Sequence, residues 1–183
     1  MTLADIEAVR RQADRVFDRA AVDAAYDRMA EDITQVLQDT NPILLCVMSG
    51  GLVPAGELFT RLDFPVQLDY LHATRYRGTE GGNTLTWLAR PLHDLKGRTV
   101  LVVDDILDEG VTLAAILDHC REQGVEAVYS AVLVEKQHTR KSPGLTADFV
   151  GLEVEDRYVF GCGMDYHGYW RNLPEIYAVA ETA

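Results

Sequence analysis

The stretch from Thr99 to Leu113, TVLVVDDILDEGVTL, constrains this chain more than any other. Its apolar run, Val100, Leu101, Val102 and Val103, has the length and β-branched content of a strand buried on both faces, and it ends in two carboxylates, Asp104 and Asp105. Asp108, Glu109, Gly110, Val111 and Thr112 follow, after which Ala114, Ala115, Ile116, Leu117 and Cys120 recur at helical spacing. The expected unit is a strand, a tight loop and a helix start.

The first turn of a helix carries N–H groups without acceptors and the positive end of the peptide dipole, so such a loop suits a phosphate. Gly110 lets the backbone turn and approach an anion closely, and Thr112 adds a hydroxyl where N-caps and phosphate ligands both favour Ser or Thr. The loop is not a Walker A motif, since no Gly-Lys-Ser/Thr follows, nor is it GxGxxG. Three acids just ahead of a phosphate cradle require something hydroxyl-bearing or cationic between them. A ribose 5-phosphate meets that need through its diol, with Mg²⁺ as a bridge.

The net charge of -12 over 183 residues argues against nucleic acid or anionic membranes as partners, which need a basic face. It also means that a phosphorylated ligand must be held by amides, helix ends, Mg²⁺ and a few placed cations. The length suits a single domain, residues 1–183. No apolar run approaches a membrane span and residues 1–11 lack a signal-peptide pattern, so a cytoplasmic chain is expected. Cys46, Cys120 and Cys162 are odd in number, widely spaced and in apolar contexts, which predicts buried free thiols.

Residues 4–17 and 22–38 read as amphipathic helices, the second with Tyr26, Met29, Ile33, Val36 and Leu37 as its core stripe. Residues 43–48 form another continuous apolar run, ending in Ser49, Gly50 and Gly51 before a helical pattern. This is a second strand, loop and helix, in the position where ligands collect in open α/β sheets. Residues 65–73 alternate as a strand does. The polar, glycine-rich residues 74–84 read as a flexible loop. Residues 127–134 predict a further buried strand, with Lys136 just past its end and His138 as a surface histidine, and residues 147–152 a short strand. Strands alternating with helices, several of them continuously apolar, predict an α/β fold with a mainly parallel sheet flanked by helices.

The central stretch resembles the phosphoribosyl diphosphate (PRPP) motif of type I phosphoribosyltransferases: two acids, two apolar residues, then Asp-Thr/Ser-Gly-x-Thr, with Glu109 replacing the usual Thr or Ser. Residues 158–173 resemble the tail of hypoxanthine-guanine phosphoribosyltransferases, the bacterial ones most closely: an aromatic-Val pair (Tyr158, Val159), a Gly, Asp165-Tyr166 and, six residues after the Asp, Arg171 before a Leu. The resemblance covers residues 43–179. It implies a core over residues 41–135, N-terminal helices over 1–40, and a strand with a small C-terminal hood over 136–183, to which the N-terminal segment can contribute.

It further implies Mg²⁺-dependent transfer of a phosphoribosyl group from PRPP to N9 of hypoxanthine or guanine, in purine salvage. Asp104, Asp105, Asp108, Glu109, Gly110, Val111 and Thr112 are then expected to bind the ribose and its 5′-phosphate, with Asp108 as the general base at N7. The glycine loop, Ser49, Gly50 and Gly51, is expected to bind diphosphate together with Arg171, although Met48-Ser49 lacks the Lys or Arg of many relatives. Lys136 is expected to donate to the purine O6, with Glu135 the alternative by one register step. Tyr158, Val159 and Asp165 complete the purine site, and Asp104, Asp105 and Asp165 the metal site. Arg75-Tyr76 correspond to the Ser-Tyr of a loop that closes over the site. A homo-oligomer, dimer or tetramer, is implied by analogy. The competing readings are a xanthine- or adenine-specific enzyme, a PRPP-sensing regulator that binds nucleic acid, and a Mg²⁺-dependent phosphoryl-transfer domain.

Overall fold

Alternation of side chains between two buried faces organises the sheet. In the computed structural model, which describes residues 1–77 and 83–180 and only the backbone of 74–77 and 83–85, strand β2 (Ile43–Val47) is buried along its whole length. Leu44 and Cys46 enter one core with the helices α2 (Arg19–Leu37) and α3 (Leu52–Phe59), while Ile43, Leu45 and Val47 enter another with α4 (Val111–Glu122). Strand β5 (Thr99–Leu107) divides its side chains in the same way, Leu101 and Val103 against Val100 and Val102. A parallel strand covered on both sides has no polar face, hence its continuous apolar run.

Six strands form the main sheet in the order β4-β3-β2-β5-β6-β7, with β3 (Gln67–Arg77), β4 (Asn83–Ala89), β6 (Ala127–Gln137) and β7 (Phe149–Glu155) joining β2 and β5. All neighbours are parallel except β3 and β4. The mainly parallel sheet flanked by helices is thus as expected. The hood is a separate antiparallel sheet, β1-β9-β8, made of β1 (Asp14–Phe17), β8 (Val159–Phe160) and β9 (Ile176–Ala178). The three cysteines are free and buried.

Four local expectations are corrected. The first helix, α1 (Leu3–Gln12), opens on a Thr2–Asp5 capping box but stops at an extended Ala13, and residues 14–17 become β1 because β9 offers them a ladder, Asp14 opposite Ala178 and Arg15 opposite Tyr177. Strand β5 does not end at Val103: it continues through both acids to Leu107, since β6 runs beside it to Gln137 and keeps the pairing, Ile106 opposite Val134. The cap of α4 is Gly110, in the left-handed region at φ 76°, which leaves Thr112 inside the first turn. Finally, much of the loop expected at 74–84 is ladder, because β3 pairs with β4 as far as Arg77 opposite Asn83. Residues 78–82 and the side chains of Arg75 and Tyr76 lie outside the described residues, and so does their expected closure over the site.

Candidate active site

A cavity of about 670 Å³ opens at the carboxyl ends of β2 and β5, where the strand order changes direction. Its floor is the α4 end. The amides of Val111 and Thr112 have no acceptor within a helix, and no side chain caps this terminus. Glu109 is exposed, and its carbonyl accepts hydrogen bonds from the Ser142 amide (2.8 Å) and hydroxyl (3.0 Å). The connection between β6 and β7 therefore straps the loop from outside, and Leu145 packs so close that a Cβ on Gly110 would lie 2.2 Å from its Cδ2. The acid at 109 is thus open to solvent at the edge of the cavity, and its carbonyl is held by the strap.

On the β2 side the cavity is lined by Met48, Ser49 and Gly50. Gly50 is there because nothing larger fits: a Cβ would stand 2.2 Å from Asp105 Oδ2. Gly51 does not line the cavity. It caps α3 beneath the loop, its own Cβ position 2.4 Å from the Val103 carbonyl, so its part is in packing.

Asp104 and Asp105 face this space, Asp105 only 8% exposed. Burial pushes the Asp104 carboxyl well above the usual range, and the neighbouring Asp105 charge adds to this. Asp105 is raised by burial as well, with Arg171 partly opposing. That guanidinium lies 3.6 Å from Asp105, 2.7 Å from Asp165, and donates to the Gly163 carbonyl at 2.6 Å. It stands between two of the expected metal ligands. Among the described residues Asp104, Asp105 and Asp165 do not converge as one trio. The trio whose donor atoms lie within 4.8 Å of one another is Asp108, His138 and Asp156.

Asp108 is differently placed. Its Oδ2 accepts from Lys136 Nζ at 2.8 Å and its Oδ1 meets His138 Nε2 at 2.7 Å. Burial raises its pKa, but the hydrogen bonds from Lys136 and His138 outweigh it and hold the carboxyl below its ordinary value. Lys136 lines the cavity, whereas Glu135 pairs with Lys141. Opposite them stand Tyr158, half exposed, and Val159. Tyr166 meets the Tyr158 ring edge-on at 5.5 Å and fixes its tilt.

Of the residues singled out from sequence, the cavity brings together Ser49, Gly50, the acids Asp104, Asp105 and Asp108, the α4 cradle from Glu109 to Thr112, Lys136, and the hood residues Tyr158, Val159, Asp165 and Arg171. His138 was expected at the surface, yet its side chain is only 4% exposed and holds Asp108. The signal was present: Lys136 and His138 are two residues apart, and a strand sends alternate side chains to one face. The strap from Ser142 and Leu145 carried no such signal.

The model of the phosphoribosyl transferase domain matches residues 12–167. The chain is 32% identical over 154 residues to the hypoxanthine-guanine-xanthine phosphoribosyltransferase of Tritrichomonas foetus, covering 84% of each. It is 30% identical to the hypoxanthine-guanine phosphoribosyltransferase of Bacillus subtilis (strain 168), over 81% of this chain and 82% of that one. The structure is similar to that of a hypoxanthine-guanine phosphoribosyltransferase from Bacillus anthracis, with a TM-score of 0.83 at 26% identity, over 91% of this chain and 97% of the other.

Proposed function

Because the chain belongs to the phosphoribosyltransferase family, we propose that it works in purine salvage, transferring the 5-phosphoribosyl group of PRPP to N9 of hypoxanthine or guanine. The observation that carries this reading is one cavity holding an uncapped helix terminus, a buried acid pair and a Lys136-Asp108 couple facing Tyr158. No simple phosphate site needs the last two.

In this reading the amides at Gly110, Val111 and Thr112 bind the 5′-phosphate, and Asp104 and Asp105 accept hydrogen bonds from the ribose diol. As the bond from C1 to diphosphate breaks and the bond to N9 forms, positive charge grows on the sugar, and the acid pair, already in a site poor in water, stabilises it. The proton on N7 passes to the Asp108 carboxylate while Lys136 donates to O6. Arg171 releases Asp165 and meets the departing diphosphate. A Mg²⁺ ion is a hard cation that keeps its waters and needs only one or two carboxylates plus substrate oxygens. Asp104 and Asp105 on one side of Arg171, or Asp165 on the other, would hold it, since the three do not converge. When bound it neutralises diphosphate, a task made larger by Met48-Ser49, which supplies no cation.

Such a reaction belongs in the cytoplasm, and no helix among the described residues is long and apolar enough to cross a membrane. Homo-oligomeric assembly is part of the same proposal: Leu68 and Tyr70 stand exposed side by side on β3, and Leu52 is exposed at the start of α3. The test is nucleotide formation from PRPP with each purine in turn, with and without Mg²⁺. Hypoxanthine and guanine should react only with Mg²⁺, and Lys136→Ala should abolish their advantage over adenine. Xanthine belongs in the series because the Tritrichomonas relative is named for it. No product from any 6-oxopurine would overturn the reading.

A further inference from the structure

The carboxylate of Asp108 has two partners, and the proposed reaction calls one of them away. Lys136 Nζ bonds Oδ2 at 2.8 Å in this structure, but reading a purine O6 requires that ammonium to turn toward the base. His138 Nε2, 2.7 Å from Oδ1, has no such second task. Its other nitrogen, Nδ1, accepts from the Arg140 amide at 3.1 Å. An imidazole that accepts at Nδ1 carries its proton on Nε2, so the contact to Asp108 is a donated hydrogen bond. The ring is anchored on one side by backbone and grips the acid on the other.

We propose that His138 is the positioning residue of Asp108, holding its carboxylate oriented and ionised while Lys136 moves to the base, and leaving a free lone pair to take the N7 proton. This rests on the reading of Asp108 as the acceptor of that proton. Two neighbouring charges complete the surroundings. Asp156, just after β7, has a carboxylate oxygen within 4.8 Å of the nearest ligand atoms of Asp108 and His138, and Arg140 holds it through two hydrogen bonds of 2.7 and 2.9 Å. Glu109, the next residue, is exposed and lines the same cavity. Lys136, His138, Arg140, Asp156 and Glu109 are therefore the charged and titratable groups that face Asp108 from β6, from the connection that follows it, from the end of β7 and from its own loop. With cations on two sides, this trio is poorly suited to a metal.

Two substitutions separate the contacts. In His138→Asn the side-chain oxygen falls near the Nδ1 position and keeps the Arg140 amide, but nothing reaches Asp108. In His138→Gln an amide N–H returns near the Nε2 position. The pH profile of kcat is measured for both, with KM for PRPP and for hypoxanthine. The expected result for Asn is a kcat lowered about tenfold, part of the 10²- to 10⁴-fold that a placed acid or base supplies. Its acidic limb should move to higher pH, since Asp108 binds its proton more readily without the donor, and KM for PRPP should stay within about twofold. The Gln variant should restore the limb. An unshifted limb in the Asn variant overturns the proposal. So does a limb that vanishes in Gln, which would make His138 itself the titrating group. His138→Phe keeps the ring volume and gives the same reading if the Asn variant does not fold. Asp108→Asn, assayed alongside, tells the two levels apart: if it turns over normally, the role of Asp108 falls, whereas if it is inactive while the limb of the Asn variant stays put, only the role of His138 falls.

Discussion

The acid pair at Asp104 and Asp105, near the end of β5, and the single acid at Asp108, just past it, lie within five residues of chain, yet the fold treats them in opposite ways. The pair is buried with little to compensate it, Arg171 being 3.6 Å from Asp105, so both carboxyls are pushed up. Asp108 is more open, engaged at both oxygens, and held down. Charge left uncompensated marks where a ligand must bring the compensation. In the proposed reaction, charge already satisfied marks the group that must be ionised before it receives a proton.

Asp104→Asn tests the contrast most severely. Turnover should fall by about 10²- to 10³-fold, the usual loss for one preorganised electrostatic group. The unliganded protein should nevertheless melt higher, by about 2–4 °C, as expected for roughly 1 kcal/mol in a chain of this length. The sign follows from linkage: a carboxyl whose folded pKa is raised makes the native state bind more protons than the unfolded one, so stability falls as pH rises through that raised value. The wild type should therefore gain stability from this site as pH drops, and the variant should lack that gain. Thermal melts across pH beside a turnover assay decide it, and a lower melting temperature at neutral pH would show that the pair is not a cost.

Asp108→Asn should show the reverse sign at smaller size. A carboxyl held below its ordinary value of about 4 contributes stability that is present above that value and lost as pH falls through the lowered one. The variant should melt slightly below wild type at neutral pH, by less than the shift at Asp104 because a partly exposed ion pair is worth about 0–1 kcal/mol, and the two should converge in acid. The same melts measure this.

The gentlest test touches the strap beside Asp108. Ser142→Ala removes one hydroxyl from the Glu109 carbonyl and leaves the backbone bond, which should cost about 0.5–1.5 kcal/mol. Steady-state kinetics should show KM for PRPP rising about threefold or less, with KM for hypoxanthine unchanged. A change confined to the base would move the strap from the phosphate end to the purine end.

What could be read from sequence divides along the same physical line. The runs at Ile43–Val47 and Val100–Val103 are apolar because both of their faces are buried, a cause that acts locally and leaves a local trace. Strand β1 has no such trace: DRVF is largely exposed, and only β9, more than 150 residues away, makes it a strand. Asp104 and Asp105 looked like the end of β5 because charge usually ends a buried strand, but the ladder with β6 carried it on. At the site, the motif residues came together in one cavity because most of them lie near the carboxyl end of a sheet strand or open a helix, and the hood supplies the rest. His138 was missed because its polarity outweighed its alternation with Lys136, and Ser142 because it acts on backbone, which no side-chain pattern records.

The three thiols have a practical consequence. Burial pushes Cys46 up to about 12, Cys120 to about 11 and Cys162 to about 12, so at neutral pH almost none of each is thiolate and none presents a surface to an alkylating reagent. A fluorophore can then be attached through a single cysteine introduced on an open position such as Leu92, with the native three left in place.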